Sequence, residues 1–133
     1  MGTLALIAHD NRKVDMIAWA TYNRGTLARF RLVGTRHTAR LAREKVGLPV
    51  EELLSGPDGG DAQIAALVAT GKVTAVFFFV DPLSAQPHDP DIRALLRVCN
   101  VHNVPLATNL ATADLMIHAL SVRVCVGPEG DPA

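Results

Sequence analysis

The stretch Val73-Thr74-Ala75-Val76-Phe77-Phe78-Phe79-Val80 decides the fold. Apart from Thr74 it is apolar throughout, so a strand formed here buries both of its faces. That is the position of a central strand in a parallel sheet. Upstream, Gly71 offers a helix stop, and downstream Asp81-Pro82 ends the run. Further short β-rich runs at residues 3–8, 30–33, 50–53 and 105–107 join the strand at 74–80. Segments of helical period separate them. Val14, Ile17 and Thr21 mark one buried helix stripe, Ile64, Leu67 and Val68 a second, and Ile92, Leu95, Leu96 and Cys99 a third. Leu41 and Ala42 suggest a helix ending before Gly47, and Leu115, Met116 and Ala119 a short final helix. Alternation of this kind is the pattern of an α/β domain with a mainly parallel five-stranded sheet.

At 133 residues the chain has the size of one domain, which buries roughly two-thirds of its unfolded surface. The expected domain covers residues 1–126, and the Gly-, Pro- and acid-rich residues 127–133 read as a flexible tail. Thirteen basic and 13 acidic residues balance, leaving no global field to attract nucleic acid or an anionic membrane. No apolar run approaches the roughly 20 residues that span a bilayer. The N-terminus shows no basic-then-apolar leader, and Leu6 stands where a myristoylation site needs Ser or Thr. A cytoplasmic protein without nucleic-acid or membrane partners is expected. Cys99 and Cys125 offer no disulfide framework and are read as reduced thiols.

Polar residues gather at the expected strand ends: His9 and Asp10, Thr35, Ser55 and Gly56, Asp81, and Thr108 and Asn109. The carboxyl ends of parallel strands lie along one edge of the sheet, so the five clusters are expected to converge on one crevice. Within Ser55-Gly56-Pro57-Asp58-Gly59-Gly60-Asp61, glycines let successive N–H groups form an anion-binding concavity. A plain loop with Asp61 as helix N-cap is the competing reading. In Asp81-Pro82-Leu83-Ser84-Ala85-Gln86-Pro87-His88-Asp89-Pro90-Asp91, three prolines lower the entropy cost of holding His88 among carboxylates. A stiff surface loop with Asp91 capping the next helix is the alternative. Lys13 falls in the first turn of a helix, where the dipole disfavours a cation unless an anion is bound there. The plainer reading lets it extend into water.

His37, His102 and His118 show no partner spacing and read as structural or exposed, and Trp19, Tyr22 and Phe77-Phe78-Phe79 as packing. His9, Asp10, His88, Asp89 and Asp91 are types that suit a metal, but no telling ligand spacing accompanies them, so no metal is expected. The turn after the first strand, His9-Asp10-Asn11-Arg12, lacks the glycines of a dinucleotide site.

Ile7-Ala8-His9-Asp10, Ser55-Gly56-Pro57 with Gly59-Gly60-Asp61, Asp81-Pro82-Leu83 with Pro87-His88-Asp89-Pro90-Asp91, and Ala107-Thr108-Asn109 resemble, in order and spacing, the methylglyoxal synthases. The resemblance runs over nearly the whole chain. It implies a three-layer α/β fold, an open, mainly parallel five-stranded sheet with helices on both faces. The implied activity is a lyase that converts dihydroxyacetone phosphate to methylglyoxal and inorganic phosphate through an enediolate, without a cofactor. Carried over by position, Asp61 is the base, His88 polarises the carbonyl and moves protons, and Asp10, Asp81 and Asp91 orient it and complete the carboxylate set. His9, Lys13, Thr35, Thr38, Ser55 and Gly56 bind the substrate and its phosphate. A homohexamer inhibited by phosphate is also implied. One turn departs from the pattern. Where the family usually has Thr-Gly-Thr-Thr-Gly, this chain reads Thr35-Arg36-His37-Thr38-Ala39, with Arg36 offering charge in compensation. Two other functions fit some of these residues: a silent module of the same fold that senses a phosphorylated metabolite, and a metal hydrolase.

Overall fold

Strand β4 (Ala75–Phe79) is buried at every residue, as its unbroken apolar sequence requires. The computed structural model describes residues 2–126, with side chains to residue 122, so the tail expected at 127–133 lies outside the described residues. Around β4 the chain lays down β1 (Thr3–Ala8), α1 (Lys13–Tyr22), α2 (Arg24–Leu27), β2 (Arg31–Gly34), α3 (Arg36–Leu41), β3 (Val50–Glu52), α4 (Gly60–Ala69), α5 (Asp89–Val101), β5 (Leu106–Ala107) and α6 (Leu110–Val126). A 3₁₀ turn (Asp10–Arg12) precedes α1, and a π-helical turn (Ala42–Val46) extends α3.

The five strands form one parallel sheet in the order β3-β2-β1-β4-β5. Strand order reverses between β1 and β4, and ligands of open parallel sheets bind beside such a reversal. Side chains alternate across β4. Ala75, Phe77 and Phe79 enter a core with Met16, Trp19, Ala39, Ala42 and Ile117, while Val76 and Phe78 enter a second core with Ile64, Val68, Ile92 and Leu95. Two cores on opposite faces make the three-layer arrangement. Trp19 stacks obliquely on Phe77, with ring centroids 4.8 Å apart. Burying each such aromatic contributes roughly 1.5–3 kcal/mol.

Two helix expectations need correction. On α1 the buried residues are Met16, Trp19 and Ala20, whereas Val14 is 78% exposed. The helix carries apolar residues on more than one side, so its own sequence does not single out the face that packs. The final helix is not short: α6 spans 17 residues and buries Ala113, Ile117 and Leu120, with Leu115 exposed. At the end of α4, Lys72 N–H donates to Leu67 O and Gly71 N–H to Val68 O. Gly71 takes φ +74°, the left-handed cap expected of it.

Candidate active site

The ends of β1 and β2, the β3–α4 turn and the β4–α5 loop enclose a cavity of about 190 Å³ lined by Ala8, His9, Asp10, Lys13, Thr35, His37, Ser55, Gly56, Asp61, Gln86 and His88 among others. Drug-sized ligands usually occupy roughly 300–1,000 Å³, so this space suits a molecule of a few carbons.

The β3–α4 turn builds one wall. Ser55 O accepts the N–H groups of Asp58 and Gly60, and Gly56 O accepts that of Gly59, while the N–H groups of Ser55 and Gly56 themselves find no protein acceptor among the described residues. Gly59 caps α4 with φ +109°, a conformation costly for any residue with a Cβ. The bland reading of Asp61 as N-cap is not what forms: Asp61 lies inside the first turn of α4, and no side chain caps the helix. Its carboxylate is fully buried and has no hydrogen-bond partner.

His88 Nε2 stands 3.4 Å from Asp61 Oδ2, both side chains buried. Burial pushes the Asp61 carboxyl above the ordinary aspartate range; the nearby His88 pulls it down, and Asp91 pushes it up again. A buried carboxylate that water does not stabilise is a stronger base. The ring of His88 passes so close to Gly56 that a Cβ there would lie 2.6 Å from Nε2. His88 itself occupies the N-cap position of α5, with Asp89 and Asp91 in the first turn and no side-chain cap.

His9 follows β1, and its N–H donates to Phe79 O at 3.1 Å. The Asp81 N–H donates to His9 Nδ1 at 2.8 Å, so Nδ1 is an acceptor and the ring hydrogen sits on Nε2. That Nε2 is buried without a protein partner, and the His9 and His88 rings lie edge to face with centroids 6.1 Å apart. Burial first, then the charge of His88, lowers the His9 pKa. His9 is thereby held as a neutral donor.

Lys13 Nζ donates to Ala8 O at 2.8 Å and Asp10 Oδ1 at 2.9 Å. The Lys13 ammonium holds the Asp10 carboxyl below its usual range. Thr35 lines the cavity, and its Oγ1 donates to Thr38 Oγ1, which also accepts the Ala8 N–H. Thr38, Asp81 and Asp91 do not line the cavity. Thr38 lies beneath Thr35, and the Asp81 carboxylate is taken by the Asn11 side chain and the Leu83 N–H, which lower its pKa. Asp91 lies close enough to Asp61 for its charge to be felt there.

The single crevice expected from five polar clusters is divided. Thr108 and Asn109 line a separate, mostly apolar depression with Phe79, Val80, Ile92 and Leu96. Asn109 Oδ1 accepts the Thr112 N–H, capping α6. Arg36 does not face the cavity; its guanidinium points to Glu52 at 3.7 Å and Asp58 at 3.9 Å. His37 and Gln86 do line it, and neither was marked by spacing. The departure of His37 from the family turn was the one available signal. Ala39, which replaces a family glycine, is helical and fully buried, so no left-handed conformation is required of it.

Comparison with known proteins identifies the family. A family model of the MGS-like domain matches residues 11–108. The chain is 53% identical over 121 residues to the methylglyoxal synthase of Carboxydothermus hydrogenoformans, covering 91% of this chain and all of that one. It is 56% identical over 117 residues to a methylglyoxal synthase of Thermus thermophilus, covering 88% and 93%. The crystal structure of methylglyoxal synthase from Elizabethkingia anophelis NUHP1 superposes with a TM-score of 0.82 at 41% identity, covering 87% of this chain and 76% of that one. The chain belongs to the methylglyoxal synthase family.

Proposed function

We propose that Asp61 and the two cavity histidines drive the family's reaction, the conversion of dihydroxyacetone phosphate to methylglyoxal and inorganic phosphate. The observation that carries this assignment is the buried, unpartnered Asp61 carboxylate 3.4 Å from His88 Nε2. Asp61 takes a proton from the hydroxymethyl carbon, and the electron pair moves into the carbon–carbon bond to give an enediolate. His88 polarises the carbonyl oxygen and carries protons between the oxygens. The Nε2–H of His9, aligned by the Asp81 backbone, adds a neutral donor for the developing oxyanion. Asp10, Asp81 and Asp91 act around this pair: Asp10 through Lys13, Asp81 through His9, and Asp91 through its charge on Asp61.

Lys13, Thr35, Ser55 and Gly56 hold the phosphate, with Thr38 supporting Thr35 from below. Elimination requires the bridging C–O bond to stand out of the enediolate plane, so that its σ* orbital overlaps the π system. The grip at Ser55 and Gly56 is the feature that selects phosphate loss over simple isomerisation. The enol left behind then takes a proton at carbon to become methylglyoxal. The same grip makes inorganic phosphate an inhibitor. The assignment uses no metal or cofactor and extends to a cytoplasmic homohexamer, an association that would cover exposed apolar residues such as Tyr22 and Leu115.

Purified protein is mixed with dihydroxyacetone phosphate, with and without chelator, and methylglyoxal and phosphate are measured together. Equimolar release that chelator leaves unchanged is expected. Release of neither product by folded protein under both conditions overturns the assignment, and activity that chelator abolishes and zinc restores would instead mark a metal enzyme.

A further inference from the structure

Among the described residues, Lys13 is the only lysine or arginine that lines the cavity, and its ammonium already serves Asp10 and Ala8. Asp10 and Asp61 add two carboxylates to the same lining. With neutral imidazoles, one lysine against two aspartates leaves a formal charge of −1. A dianionic phosphate ester entering such a space meets net repulsion unless more positive charge can be gathered there. Arg36 does not supply it, because its guanidinium is turned to Glu52 and Asp58. His9 is held neutral by burial, and His88 faces Asp61. His37 remains. It lies on α3, exposed to solvent at the cavity lining, and near enough to Asp10 that its positive form favours the Asp10 carboxylate.

We propose that His37, when protonated, binds the anionic end of the ligand, so that this cavity holds dianions more tightly as pH falls. The inference rests on the cavity being a phosphate-ester site. The charged and titratable groups that line the cavity with His37 are Asp10 and Lys13 before and within the first turn of α1, His9 after β1, Asp61 on α4 and His88 before α5. On α3 itself, Arg36 and Arg40 are engaged with Glu52. Imidazole is the side chain whose charge changes in the neutral range, and an ionised partner strengthens a hydrogen bond to phosphate. The replaced turn thus exchanges a pH-independent hydroxyl for a proton-dependent cation.

The test uses sulfate, which stays a dianion throughout, as a competitor of dihydroxyacetone phosphate at about pH 6 and about pH 8. In the parent protein sulfate should inhibit about five-fold more tightly at the lower pH. His37→Gln should lose most of that difference and raise KM at about pH 6 while kcat stays within about two-fold. His37→Lys, charged at both values, should bind sulfate tightly and nearly independently of pH. A His37→Gln protein that keeps the parent's full pH difference overturns the role given to His37. Sulfate that fails to compete at all, in protein that still turns over substrate, overturns the phosphate-site assignment instead.

Discussion

Replacing Asp61 by Asn removes a charge and nearly preserves shape, so it separates catalysis from stability. In the folded protein the carboxylate is fully buried, neither oxygen is hydrogen-bonded, and the closest cation-forming group is His88 at 3.4 Å. Leaving a buried polar group unsatisfied costs about 1–3 kcal/mol, and the neutral amide should recover about 1 kcal/mol of it. For a domain of this size that corresponds to a rise in Tm of about 3–5 °C. The sign follows from the direction of the pKa shift. Burial raises the Asp61 pKa, so the folded state binds this proton more tightly than the unfolded state. Stability therefore falls as pH rises from the ordinary aspartate range through the elevated value, and the full penalty is present above it. The Asn protein should gain most at about pH 8 and nothing below about pH 4. Its turnover should fall by about 10²–10⁴, the contribution of a positioned general base. Thermal unfolding at both pH values and initial rates at saturating substrate measure the two effects. A lower Tm at about pH 8, or turnover within a few-fold of the parent, refutes the reasoning.

Gly56→Ala places a Cβ 2.6 Å from His88 Nε2. Displacing the imidazole should cost about 10² in kcat with little change in Tm, read from paired rate and melting measurements. His88→Gln removes the influence that lowers the Asp61 pKa, so the acid limb of the kcat/KM profile should move to higher pH as kcat falls. Glu52 accepts hydrogen bonds from Arg40 and Arg43, which hold its pKa below the usual value. It stabilises the fold above the unfolded glutamate pKa, and that stability is lost as pH falls through the depressed value. Glu52→Gln should therefore melt earlier at neutral pH, and the difference from the parent should close in acid.

The sheet was legible mainly because its central strands β1 and β4 are buried almost throughout and announce themselves by apolar runs, whereas β3 reads Val-Glu-Glu and β5 is two residues long. Each expected strand overlaps the observed one to within a residue or two at its ends. Helix faces were harder to read. The α1 stripe drawn through Val14 was wrong because the helix is apolar on more than one side, and only its packing on Phe77 and Phe79 chooses Trp19. In the β3–α4 turn, glycines before a helix marked from local chemistry alone a segment that lines the cavity. Asp61 in that turn was marked, but its isolation from hydrogen bonds depends on α4, His88 and the sheet meeting, which no local pattern encodes. Likewise, the exposed His37 and the half-buried Gln86 reach the cavity by the paths of a six-residue helix, α3, and of a proline-rich loop, the one too short and the other too irregular for a period to be read.

The most direct measurement of the central claim is an NMR record of dihydroxyacetone phosphate turning over with the protein in D₂O. Proton removal at carbon followed by phosphate elimination gives methylglyoxal carrying one solvent deuterium in its methyl group, with one phosphate released for each. Dihydroxyacetone appearing with the phosphate would mean hydrolysis. Glyceraldehyde 3-phosphate without free phosphate would mean isomerisation, and either result contradicts the account.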